Sequence, residues 1–227
     1  MSDRSSKWQE VTRGIADFFF PRKCPFCGAA VGRDLLCEKC ERDLPYCEAI
    51  TELAGGIRVT APLWYEGYVR DAILAFKFQG KLGGLQAFGS LMAQCAAERY
   101  SGEFDAVTWV PVSSKRLRKR GFDQSRYLAA SACVDWHAAP QETLRKIADN
   151  PPQSGVADAA QRRANVKGVY EAVNPDAIAG VRFLLIDDIF TTGATLTECS
   201  RVLKEAGAAE VICLTLAATR KKENDSV

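Results

Sequence analysis

Two clusters in the 227-residue sequence combine residue types that do chemistry. Cys24 and Cys27, then Cys37 and Cys40, form C-x2-C-x9-C-x2-C. Zinc takes four soft ligands at tetrahedral corners, and two such thiolate turns facing each other supply them without a large core. Four thiolates close the coordination sphere, so the expected ion is a structural zinc; the alternative is two metal-free thiol pairs with redox activity. Residues 187–195, DDIFTTGAT, bring together two acids, three threonines and a glycine. Gly193 permits close backbone approach, and Thr191, Thr192 and Thr195 add hydroxyls beside the amides of a following helix, a combination suited to phosphate. The carboxylates of Asp187 and Asp188 repel that phosphate and need another partner: ribose hydroxyls, or a magnesium ion through water. A sugar phosphate satisfies both demands. The competing explanation is a helix cap, with a threonine at the cap and an acid near the positive end of the dipole.

A third group is basic. Residues 111–125, PVSSKRLRKRGFDQS, hold five bases between positions 115 and 120, after a strand-like run and before a helical pattern. We read the bases as a loop. Arginine suits bidentate phosphate contacts, so pyrophosphate is one ligand; a solvated charge run or a nucleic-acid contact are the others.

The elements that position these groups follow from hydrophobic periodicity. Strands are expected at 57–66, 106–112, 168–173, 181–188 and 210–217, and helices at 68–78, 85–100, 123–133 and about 194–206. Such alternation with Val, Ile and Leu-rich strands predicts an α/β fold, a mostly parallel sheet flanked by helices. DDIFTTGAT then lies at the carboxyl end of a strand, where open α/β sheets bind ligands. Trp8, Val11, Ile15 and Phe18 suggest an N-terminal amphipathic helix, and 22–48 is too cysteine- and turn-rich for a core of its own. We therefore expect a zinc-binding module over 1–50 and an α/β domain over 51–220. The stretch 148–159, with two prolines and a glycine, reads as a surface loop.

Thirty Lys and Arg against 28 Asp and Glu leave a formal charge of +2, which gives no global field for nucleic acid or membrane. No apolar run approaches the ~20 residues of a bilayer span, and the N-terminus lacks a secretory apolar stretch. A cytoplasmic protein without membrane insertion is expected, and the paired cysteines suit a reducing compartment. Of the nine cysteines, Cys47 is the alternative zinc ligand, while Cys95, Cys133, Cys199 and Cys213 fall in apolar stretches.

LLIDDIFTTGAT resembles the phosphoribosyl pyrophosphate (PRPP) loop of type I phosphoribosyltransferases. The resemblance implies that Asp187 and Asp188, the catalytic acids, bind ribose hydroxyls, and that Thr191, Thr192, Gly193, Ala194 and Thr195 wrap the 5′-phosphate. The cysteine module, FKF around Lys77, VPV with RGFDQS, LRKI with PPQSG and RRANVKGVY, and the acidic loop together resemble the ComF family of competence and GntX-like proteins. This implies PRPP with Mg2+ as ligand, and a pyrophosphate loop of Arg116, Arg118, Arg120, Gly121 and Gln124 with Lys77. Gln153, Arg163 and Asn165 fall in a further family motif. Asp123 stands where that family more often has Asn, and an acid there repels pyrophosphate unless magnesium or Arg120 intervenes. Two functions are implied: transfer of ribose 5-phosphate to an unidentified acceptor, or a non-catalytic role in DNA uptake with single-stranded DNA and a competence helicase as partners.

Overall fold

The computed structural model describes residues 22–148 and 167–220. The expected N-terminal helix, the turn-rich stretch beyond 148, and Gln153, Arg163 and Asn165 lie outside the described residues.

A sheet with strand order β1-β2-β8-β7-β4 organises the molecule, with β3 also pairing β8. Its strands are β1 (Ile50–Leu53), β2 (Ile57–Thr60), β3 (Leu63–Trp64), β4 (Ala106–Trp109), β7 (Arg182–Phe190) and β8 (Glu210–Ala218). All pairings are parallel except the β1–β2 hairpin. The parallel core, β4-β7-β8, is that expected from the buried Val, Ile and Leu runs. The single strand expected over 57–66 is instead two, because Pro62 has no N–H for the ladder and its carbonyl accepts from Cys47. β1 was not anticipated: ITEL has little apolar character, and its antiparallel register on β2 is a tertiary outcome.

Helices cover both faces. Before the sheet, α1 (Glu38–Asp43) belongs to the cysteine module; α2 (Gly67–Gln79), α3 (Leu85–Arg99) and α5 (Gln124–Asp135) lie against the face of Leu184, Ile186, Ile212 and Leu214. Gly89 is needed where α3 meets α5, since a Cβ there would sit 2.6 Å from the Ser131 backbone. Helix α6 (Ala194–Glu205) buries Leu196, Cys199, Val202 and Leu203 against the opposite face of Phe183, Leu185, Val211 and Cys213. A small antiparallel ribbon, β5 (Leu144–Lys146) with β6 (Tyr170–Ala172), completes that side. Among the described residues no helix is long and apolar enough to cross a membrane.

The basic stretch corrects the sequence reading. Residues Ser114–Arg120 form a short helix, α4, not a loop: Ser113 Oγ accepts from Arg116 N at 3.3 Å, and Gly121 ends it at φ 81°. Helical spacing then sorts the bases. Arg116 and Arg120, four apart, are half-buried, whereas Lys115, Arg118 and Lys119 are exposed.

Candidate functional site

The four thiol sulfurs of Cys24, Cys27, Cys37 and Cys40 lie within 4.8 Å of one another, with Cys27 and Cys37 Sγ 3.5 Å apart. A tetrahedral site with Zn–S near 2.3 Å places its sulfurs roughly 3.8 Å apart, so the set fits. Local hydrogen bonds build it: Gly28 N donates to Cys24 O at 2.9 Å, Cys24 N to Ala29 O at 2.8 Å, and Cys40 N to Cys37 Sγ at 3.4 Å. Cys47 is not among the four; it is buried against the other face of the sheet, with Val59 and Phe190. The module is packed onto the α/β core through Phe26, whose ring lies 5.7 Å from Phe88 and 6.2 Å from Tyr68.

The acid pair stands at the carboxyl end of β7. Its neighbour β4 runs parallel, with Trp109 opposite Ile186, so the chain leaving β4 passes beside the acids and carries α4 and α5 there. Alternation along β7 turns Leu184 and Ile186 toward α2, α3 and α5 and Leu185 toward α6, and the two acids follow at the end of this run. Lys77 Nζ of α2 reaches Asp188 Oδ2 at 2.6 Å. Asp187 Oδ1 accepts from Ser125 Oγ of α5 at 2.9 Å and from Asp188 N at 2.9 Å. Burial, with the Asp188 carboxylate beside it, pushes Asp187 up to about 7.

Beyond the acids, the N-cap residue of α6 is Gly193 at φ 75°, not a threonine. The explanation that puts a threonine at the cap position therefore fails. The hydroxyl of Thr192 is buried and has no hydrogen-bond partner among the described residues. Gly193 itself is required for a reason other than ligand approach: a Cβ there would meet Leu53 Cδ2 at 2.6 Å and Phe190 Cε2 at 3.1 Å. The unforeseen β1 strand thus walls one side of the loop, and the hydroxyl that the loop leaves buried and unpartnered among the described residues is that of Thr192.

On the other side of the acids, Arg120 Nη1 donates to Gln124 Oε1 at 2.8 Å, and the guanidinium lies 5.0 Å from the centroid of the Phe78 ring. Burial lowers the pKa of Arg120, and the Asp188 charge acts against that. Gln124 is buried, and its Nε2 has no partner among the described residues. Gly121 terminates α4 between them. Arg118 points elsewhere, lining a cleft with Ser113, Ser114, Lys115 and Lys146. Both oxygens of Asp123 bond to backbone: Oδ2 accepts from Val112 N at 3.0 Å and Oδ1 from Arg126 N at 3.1 Å. It clips the segment after β4 to the first turn of α5, which fixes Gln124 and Ser125. His137, with φ 50°, closes the turn after α5, its N–H donating to Val134 O at 3.2 Å.

Two residues matter that sequence reasoning passed over. Ser125 supports Asp187, and Phe78 holds Arg120 from a helix some forty positions earlier. Ser125 was legible as part of GFDQS; the Phe78 contact had no local signal.

Known proteins resemble both parts of the chain. A phosphoribosyl transferase domain model matches residues 125–227, and a double zinc ribbon domain model matches residues 15–55. Competence protein ComFC of Bacillus subtilis is 28% identical over 194 residues, covering 85% of this chain and 76% of that protein. DNA utilization protein YhgH of Salmonella typhi is 26% identical over 202 residues, covering 85% and 84%. Competence protein F of Haemophilus influenzae is 24% identical over 220 residues, covering 85% and 95%.

Proposed function

We propose that this chain, a member of the ComF family with a phosphoribosyltransferase domain and a zinc-ribbon-like cysteine module, binds PRPP with Mg2+ and transfers its ribose 5-phosphate to an acceptor, releasing pyrophosphate. The observation that carries this reading is the set of donors the protein leaves unused. Thr192 Oγ1 and Gln124 Nε2 are buried without partners, one in the loop after β7 and one in the first turn of α5. A buried polar atom without a partner costs roughly 1–3 kcal/mol, which a bound anion at each position removes.

The parts divide as follows. The first-turn amides of α6 and Thr191, Thr192 and Thr195 take the 5′-phosphate; Asp187 and Asp188 accept from the ribose hydroxyls. Arg120 and Gln124 hold the diphosphate, with Arg116 one helical turn earlier on the same face of α4 and Gly121 leaving the approach open. The carboxylate oxygens of the acid pair are the hard donors magnesium prefers, and the ion supplies neutralisation of the departing diphosphate. Positive charge that develops at the ribose ring is stabilised by the two acids, and the remaining residues contribute by orientation. Calorimetry with PRPP and Mg2+ is expected to show one site per chain, abolished in Asp187→Asn/Asp188→Asn; unchanged affinity in that variant sinks the reading.

One observation favours a second activity beside the first. Phe78 is 64% exposed and lies under Arg120, and Leu117 and Tyr127 are also exposed near the bases of α4. Cations with an exposed ring are what a single strand needs for backbone attraction and base stacking. The names of the relatives, a competence protein and a DNA utilization protein, accord with this reading, and a helicase partner belongs to it. Affinity for single-stranded DNA should fall steeply with salt and drop in Phe78→Ala; indifference to both removes it.

A further inference from the structure

Three consecutive residues near the end of α2 reach three parts of the site. Phe76, fully buried, packs its ring 5.5 Å from Phe122, which joins α4 to α5. Lys77 pairs with Asp188 at 2.6 Å, the two side chains being 21% and 13% exposed. Phe78 carries the guanidinium of Arg120.

We infer that Lys77 is a resident counter-ion of Asp188 which the incoming donor displaces, the ammonium passing from the carboxylate to the diphosphate oxygens. The inference rests on the donor reading above and assigns Lys77 a positioning role within it. A largely buried carboxylate is costly unless paired, and Lys77 is its ion-pair partner among the described residues. The same lone pairs are those a ribose hydroxyl or a divalent cation requires, and two cations on one carboxylate repel. Lysine suits an exchange of this kind because its ammonium is a compact charge on a flexible four-carbon stem, whereas arginine binds through a fixed fork. Phe76 anchors the helix in the core, so the stem moves while α2 stays in place. The new partner is near: Phe78, the next residue, holds Arg120 at the proposed diphosphate position.

The exchange gives the site a selectivity. A free divalent cation must evict Lys77 and leaves it without an anion, so it binds weakly. The cation–diphosphate complex evicts Lys77 and supplies its next partner at once. Lys77 thus sets the acid pair against the metal alone and in favour of the complete donor.

The test uses the full, zinc-loaded chain with two probes, Mn2+ alone followed by electron paramagnetic resonance, and pyrophosphate with Mg2+ followed by calorimetry. Lys77→Met is expected to bind Mn2+ at least tenfold more tightly than wild type and pyrophosphate at least tenfold more weakly. Lys77→Arg should keep the weak Mn2+ binding. Adding Asp188→Asn to Lys77→Met should erase the gain in Mn2+ affinity, which places it at the acid pair. If Lys77→Met does not fold, Lys77→Gln takes its place. Mn2+ affinity that does not rise when the charge is removed, or pyrophosphate affinity that does not fall, overturns the inference. A wild type that ignores PRPP defeats the donor reading separately, because the Mn2+ comparison is read without it.

Discussion

Gly193→Ala isolates what the loop after β7 requires of its backbone. Gly193 sits at φ 75° and ψ 0°, a conformation that costs an L-residue about 1–2 kcal/mol. The added methyl would lie 2.6 Å from Leu53 Cδ2, 2.8 Å from Leu53 Cδ1 and 3.1 Å from Phe190 Cε2. Overpacking of this kind costs about 1–3 kcal/mol, toward the lower end here because the nearest atoms are the end of a flexible side chain. Together the two terms give about 3 kcal/mol, and in a chain of this size that lowers Tm by roughly 6–12 °C. Urea and thermal unfolding measure it. Leu53→Ala separates the terms: in the double variant the steric part is relieved and the conformational part persists, a coupling of about 1–2 kcal/mol. A Gly193→Ala protein as stable as wild type refutes the conformational argument. Strict additivity with Leu53→Ala refutes the claim that β1 walls the loop.

Two further outcomes follow from the structure. Purified protein should carry one zinc per chain, and chelation or Cys24→Ser/Cys40→Ser should lower the Tm of the whole chain in a single transition, because Phe26 is part of the packing around Phe88; a separate low-temperature transition for the module would contradict that coupling. Asp187 carries a pH dependence whose sign is fixed by its raised pKa. The folded chain keeps a proton that the unfolded chain releases near 4, so this group disfavours folding progressively from about pH 4 to about 7 and no further above that. Asp187→Asn, which still accepts from Ser125, should therefore gain Tm relative to wild type between pH 5 and pH 8; a difference constant over that range would show that burial leaves Asp187 unperturbed.

How much of this was legible in the sequence depended on whether the cause was local. The strands β4, β7 and β8 and the helices α2, α3, α5 and α6 announce themselves because periodicity and burial are properties of one segment. The acid and hydroxyl cluster on which the donor proposal rests was visible for the same reason, since two acids and three threonines share nine positions. What escaped was whatever one segment does to another. KRLRKR reads as a loop because like charges repel and no apolar stripe marks a helix; the Ser113 cap and the Gly121 terminus nevertheless close two turns and aim Arg120 inward. ITEL reads as nothing until β2 lies beside it, and then Leu53 decides which residue position 193 admits.

Asp123 shows how far such a contact can alter a functional reading. As a letter in RGFDQS it is an anion inside the stretch proposed to hold diphosphate, which argues against that ligand there. In the fold its two oxygens are occupied by the backbone amides of Val112 and Arg126, so its charge is directed into the protein. Burial raises its pKa while those amides lower it, the balance expected of a carboxylate used as a clip. An asparagine at this position retains one acceptor oxygen and faces the second amide with a donor, so the charged residue is the better clip for this pair of N–H groups. The residue that seemed to oppose diphosphate binding is thereby the one that holds Gln124, with its unpartnered amide, in the first turn of α5.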